Sequence, residues 1–135
     1  MPAAAVPLPR DFAEIQVGDT ARLVKTIAPK DVEEFSSLSG DNNPLHLDPE
    51  FACRTSFQKP VVHGMLVASY VSSLIGTQLP GPGALWTRQS FRWPAPVFAG
   101  DTIEVTLRVT HKSTGTGTLT FEVIAMNQDG RKVLE

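Results

Sequence analysis

The spacing of apolar positions changes several times along the chain, and each change predicts a different element. From Thr20 to Ile27, β-branched and apolar residues follow the turn pair Gly18-Asp19, which predicts a first strand. Pro29 then opens a helix. Asp31, Glu33 and Glu34 favour its N-terminal turn, Val32, Phe35 and Leu38 recur at helical spacing, and Gly40 ends it. The pattern breaks into a loop between Gly40 and Pro49, and a short helix is expected from Glu50 to Thr55. From Gly64 to Leu79 apolar residues fall on nearly every side, which predicts a buried helix about 24 Å long.

After the breaker Leu79-Pro80-Gly81-Pro82-Gly83 come strand-like runs at Ala84 to Trp93, Thr102 to Lys112 and Thr118 to Met126. The middle run alternates, with Ile103, Val105, Leu107 and Val109 on one face and Glu104, Thr106, Arg108 and Thr110 on the other. Gly115-Thr116-Gly117 and Asp129-Gly130 are hairpin signals, so the C-terminal half reads as an antiparallel meander. Gly18-Asp19-Thr20 and Gly100-Asp101-Thr102 each precede a strand. Turn chemistry explains both better than a duplicated half-domain, because the buried helix occurs once. The parts add up to an α+β architecture, an antiparallel sheet curled round one long central helix. An open sheet edge invites a second copy to pair with it.

Composition narrows the functional classes. A length of 135 residues fits one domain over residues 1–135. The net charge is −2 with no block of like charges, which speaks against a nucleic-acid groove or an anionic membrane surface. Polar residues from Ser69 to Gln78 interrupt the longest apolar stretch, so no membrane span is expected. The single Cys53 excludes an internal disulfide and a multi-cysteine zinc site, and it fits a reducing, cytoplasmic location. No basic residue precedes Arg10, so residues 1–10 are expected to be irregular and to carry no leader.

Two places carry candidate chemistry. In Ser39-Gly40-Asp41-Asn42-Asn43-Pro44-Leu45-His46, a carboxylate and an imidazole stand five residues apart on a proline-stiffened turn, where one water can sit between them. Asn43 can fix the loop or that water. The spacing by itself also fits, and more readily, an Asp41 that bonds its own turn beside an ordinary His46. The second place is Val62-His63-Gly64-Met65, where the long helix begins. Its first N–H groups lack internal partners, and a glycine there lets a ligand oxygen approach closely. His63 is expected to cap the helix.

The run Phe35 to His46, with its Gly40-Asp41-Asn42-Asn43-Pro44-Leu45-His46 core, followed by Val61-Val62-His63-Gly64-Met65-Leu66, resembles the MaoC-like, R-specific enoyl-CoA hydratases. The likeness extends from Gly18-Asp19 to Pro94, Val97 and Gly100-Asp101. It implies a hot-dog fold, a homodimer or higher even oligomer, and reversible syn addition of water to a trans-2-enoyl thioester, giving the (R)-3-hydroxyacyl thioester. It also implies that Asp41 and His46 form the catalytic pair and that the Gly64 N–H meets the thioester carbonyl. Asn43 and Ser72 are the further substrate-side candidates, with packing the plainer role for Ser72. Which of Asp41 and His46 is the formal base stays open, since a coupled pair can share that role. No cofactor and no metal are implied, and the partner is an acyl-CoA or acyl-carrier-protein thioester.

Three other functions compete with this one: (R)-3-hydroxyacyl-acyl-carrier-protein dehydratase, a non-catalytic acyl-thioester-binding module, and a thioesterase on the same fold. Arg54, Lys59, Arg88 and Arg92 are treated as solvated cations. Trp86, Phe91, Trp93 and Phe98 are assigned to the core or a dimer seam, His111 to the surface, and Cys53 to a small buried site. Family members end on a further strand after the Asp129-Gly130 turn, and Arg131 to Glu135 supply about half of one.

Overall fold

The computed structural model describes residues 10–135. The expectations for residues 1–9 therefore lie outside the described residues. A short 3-10 helix, Phe12–Glu14, leads into strand β1, Thr20–Thr26. Helices α1 (Pro29–Ser39), α2 (Pro44–Leu47), α3 (Pro49–Cys53) and α4 (Gly64–Thr77) follow, and strands β2 (Thr102–Ser113), β3 (Thr118–Met126) and β4 (Lys132–Leu134) complete the fold. The strands form one antiparallel sheet in the order β1-β2-β3-β4. Within this sequence, β4 spans three residues.

Alternation decides which face of the sheet is covered. Ile103, Val105, Leu107 and Val109 all point inward and are essentially fully buried, against Val67, Val71 and Leu74 of α4. Each such side chain contributes about 1.5–3 kcal/mol through its removal from water. The two Gly-Asp turns serve the two ends of the β1–β2 ladder. Gly18 and Asp19 bond Val109, and Gly100 and Asp101 bond Ile27. Both glycines have positive φ, 96° and 95°, so local turn geometry accounts for the repeat.

The structure corrects several expectations. No strand forms over Ala84 to Trp93; reciprocal backbone bonds join this segment to Glu135 at Arg92 alone. The neighbouring β4 is only three residues long and Pro94 lacks a donor, so there is no ladder to extend. Helix α4 is not covered all round. Leu66, Val67, Ala68, Val71, Leu74 and Ile75 are buried, while Met65, Ser69, Ser72, Ser73 and Gly76 face outward. Leu38 is 88% exposed although it keeps helical spacing with Val32. Cys53 is exposed, its thiol donating to the Glu50 carbonyl. Trp86 and Trp93 stand at the surface in an aromatic row with Phe91 and are not core residues. Among the described residues, no helix is long and apolar enough to cross a membrane.

Candidate active site

The loop after α1 is built by short-range hydrogen bonds. Gly40 adopts φ 79° and turns the chain out of the helix. The Asp41 N–H donates to Ser39 Oγ at 3.1 Å, and the Asn43 N–H donates to Asp41 Oδ1 at 3.3 Å. Asn43 in turn caps α2, its Oδ1 accepting from the Leu45 N–H at 3.0 Å, with Pro44 holding the first helical position. Asn43 therefore shapes the loop through its side-chain oxygen. One carboxylate oxygen of Asp41 serves its own turn, and the other, Oδ2, faces His46 Nε2 at 3.9 Å.

A second anchor orients His46. Its Nδ1 lies 2.6 Å from the Val61 carbonyl, which can only accept, so Nδ1 carries a proton and, in the neutral ring, Nε2 keeps the lone pair. Val61 returns a bond by donating its N–H to the Leu45 carbonyl at 3.1 Å, which locks α2 to the 59–62 segment. The 3.9 Å between Oδ2 and Nε2 is too long for a direct hydrogen bond. One water oxygen making two bonds of about 2.8 Å spans it at nearly a right angle. The His46 side chain is 12% exposed and that of Asp41 49%, so the gap opens to solvent on the carboxylate side.

His63 occupies the N-cap position of α4, as expected, but its side chain makes no cap bond. The ring is buried, and its Nε2 donates to the Asp41 carbonyl at 3.0 Å. Its face packs on the His46 ring with centroids 3.9 Å apart. The next residue, Gly64, starts α4. Its N–H and that of Met65 find no protein acceptor among the described residues, so the positive end of the helix faces outward. The Trp93 indole N–H donates to the Gly64 carbonyl at 2.9 Å, which lays that ring beside the same turn. Ser72 is not brought to the site: it lies on the open face of α4, about 12 Å along the axis from Gly64.

A cavity of about 300 Å³ is lined by His46 together with Val32, Leu47, Val61, Phe98 and Lys59. Asp41 and Gly64 do not line it. Lys59 sits 4.1 Å above the Phe98 ring, so this cation is held and not merely solvated. Asp41, His46 and His63 each offer a ligand atom within 4.8 Å of the others. Both imidazoles, however, spend one nitrogen on a backbone carbonyl, and the free nitrogen of His63 is buried. A ring nitrogen bonded to a carbonyl fixes the tautomer and plane of the imidazole, which serves proton transfer and metal ligation alike.

Sequence reasoning did not single out Ser36 or the Val61 carbonyl, and it assigned Trp93 to the core or a dimer seam without its contact to Gly64. Ser36 had a signal: it stands one turn after Val32, a polar residue on the buried face of α1. Trp93 had none, because its contact with Gly64 joins residues 29 positions apart.

Comparison with known proteins gives the family and the fold. The MaoC like domain family matches residues 13–128. The (R)-specific enoyl-CoA hydratase of Aeromonas caviae is 49% identical over 96 residues, 71% of this chain and 72% of the relative. That of Rhodospirillum rubrum is 44% identical over 99 residues, 73% of this chain and 69% of the relative. The solved structure of an A. caviae (R)-hydratase involved in PHA biosynthesis superposes with a TM-score of 0.86 at 41% identity, covering 90% of this chain and 92% of that one. The antiparallel sheet curled on α4 is the hot-dog fold of those hydratases, and the chain belongs to the MaoC-like domain family.

Proposed function

We propose that this chain is an (R)-specific enoyl-CoA hydratase, a cofactor-independent hydro-lyase acting as a single hot-dog domain in the cytoplasm. One observation carries the reading: Asp41 Oδ2 and the bare Nε2 of His46 stand 3.9 Å apart, with His46 held in that tautomer by Val61. A water between them donates to both. As its oxygen attacks C3 of the enoyl thioester, Nε2 takes one proton, and the resulting imidazolium returns it to C2 on the same face. The net change is H and OH added across C2=C3, with nothing left on the protein. Asp41 orients the water and offsets the charge on His46. Negative charge that develops on the thioester oxygen is met by the Gly64 N–H at the positive end of α4.

The working unit is a homodimer. The open face of α4 and the exposed edge carrying Leu85, Trp86 and Trp93 are apolar or small-residue surfaces of the kind a second copy covers.

The test is to follow loss of the conjugated absorbance of crotonyl-CoA and to determine the configuration of the product. Parallel arms use longer enoyl chains, enoyl-acyl-carrier-protein and an assay for free thiol. Formation of (R)-3-hydroxybutyryl-CoA supports the proposal. A folded protein that binds acyl-CoA without turnover, or that releases thiol instead, overturns it in favour of a binding module or a thioesterase.

A further inference from the structure

Ser36 and His63 are the buried polar residues among those described, and both donate to the same atom, the backbone carbonyl of Asp41. Ser36 Oγ lies 2.8 Å from that oxygen and His63 Nε2 lies 3.0 Å from it. We infer that Ser36 and His63 are positioning residues that together hold the Asp41 peptide and so aim its carboxylate at His46; the consequence for turnover rests on the hydration reading above.

A carbonyl oxygen has two lone pairs, and here each is taken by one buried donor, one from α1 and one from the threshold of α4. The peptide of Asp41 is therefore fixed from two elements of the core, although the loop that carries it is exposed. His63 also touches the other member of the pair. Its ring face packs on His46 at 3.9 Å, and Phe35 backs it at 4.8 Å. A single side chain thus sets the backbone of the carboxylate and the plane of the imidazole, and the 3.9 Å gap between them follows from both contacts.

The arrangement leaves a polar atom unpaired. Because the Asp41 carbonyl can only accept, Nε2 of His63 carries the proton and Nδ1 is a bare lone pair, buried and without a partner. An interior that only needed filling at this point would do better with Phe or Leu. The unpaired nitrogen is explained by what the opposite nitrogen holds.

The test compares four variants of the full chain. Ser36→Ala and His63→Phe each remove one donor, and the latter keeps a ring against His46. Ser36→Thr keeps the hydroxyl, and His63→Gln keeps an N–H within reach of the carbonyl. With crotonyl-CoA as substrate, the donor-removing variants should lose about ten- to a hundredfold in kcat with KM nearly unchanged, because displacement of a reacting group by a fraction of an ångström costs on that scale. The melting temperature should stay near that of the parent, and Ser36→Thr and His63→Gln should recover most of the loss. A His63→Phe variant with parental kcat, or a His63→Gln variant as impaired as His63→Phe, overturns the inference. Should a variant fail to fold, ¹⁵N NMR of the parent decides: His63 must show a protonated Nε2 and an unprotonated Nδ1, and the opposite tautomer overturns the pairing. That spectrum is independent of turnover, so an inactive parent refutes the hydratase proposal while leaving this assignment to be decided by its own signal.

Discussion

Trp93 and Gly64 meet twice: the indole N–H bonds the Gly64 carbonyl at 2.9 Å, and the indole ring occupies the space a Gly64 side chain would need. A Cβ built on Gly64 would lie 3.0 Å from Trp93 Cε2 and Nε1. Gly64→Ala should therefore shift the ring while adding a methyl group beside the N–H proposed to meet the thioester carbonyl. Trp93 is 42% exposed and has room to move, and alanine favours helix over glycine. Stability should be nearly unchanged, whereas kcat should fall by about ten- to a thousandfold, the scale for impairing one oxyanion donor. Melting curves and crotonyl-CoA kinetics on the same preparation check this split. A destabilised variant with parental kcat would show that Gly64 serves packing alone.

Removing either member of the Asp41–His46 pair should separate chemistry from loop structure. Asp41→Asn keeps the oxygen that accepts from the Asn43 N–H, so the turn survives while the anionic acceptor at 3.9 Å from His46 is lost. His46→Ala removes the proton acceptor but leaves the Leu45–Val61 backbone bond in place. Each should lower kcat by about 10²- to 10⁴-fold, the range for loss of a positioned acid or base. Circular dichroism should be unchanged, and turnover within threefold of the parent in either variant would refute the roles given to the pair.

The legible parts of this chain are those whose cause is local. Alternation placed Ile103 to Val109 on the buried face, and Pro29 and Gly40 marked the ends of α1 where the structure has them, whereas α2 (Pro44–Leu47) forms inside a stretch read as loop. The family motif brought Asp41, His46 and Gly64 to attention, and the structure sets the first two against each other beside the start of α4. What stayed hidden depends on residues remote in sequence. The clamp on the Asp41 carbonyl joins α1 to the start of α4, and the strand expected over Ala84 to Trp93 is absent because its neighbour is short. Nor can strict alternation foresee the register shift between Val109 and His111, which turns His111 outward although it is in phase with the buried positions.

The same shift gives Lys112 a structural role. With one extra residue in β2, its side chain swings toward the 3-10 helix, and Nζ donates to the carbonyls of Phe12 at 2.7 Å, Ala13 at 3.3 Å and Ile15 at 2.8 Å. The ammonium also sits 4.6 Å from the Phe12 ring centre. Lys112→Met keeps the aliphatic stem but leaves these carbonyls without their donor, and should destabilise the fold by about 1–3 kcal/mol. Denaturant melts measure the loss. Amide exchange should localise it to residues 12–15, and uniform loss of protection across the sheet would assign Lys112 a different role.

Glu135 makes the sheet edge sensitive to acid. Its carboxylate accepts from Lys132 and Arg92, and its backbone exchanges two bonds with that same Arg92. The hydrogen bond from Lys132, helped by the charges of Arg92 and Lys132 and the hydrogen bond from Arg92, holds the Glu135 carboxyl below the usual carboxylate range against the opposing effect of burial. A group whose folded pKa is depressed stabilises the fold above its unfolded value, and that contribution fades as pH falls through the folded value. The parent should therefore be more stable than Glu135→Gln at neutral pH, and the gap between their melting temperatures should close as the pH drops below the ordinary carboxylate range. Amide protection at Arg92 should fall over the same interval, since its partner is tied by the same residue. A melting difference that is constant from neutral to acid would mean that the carboxylate charge does no work at this edge and that the two backbone bonds hold it unaided.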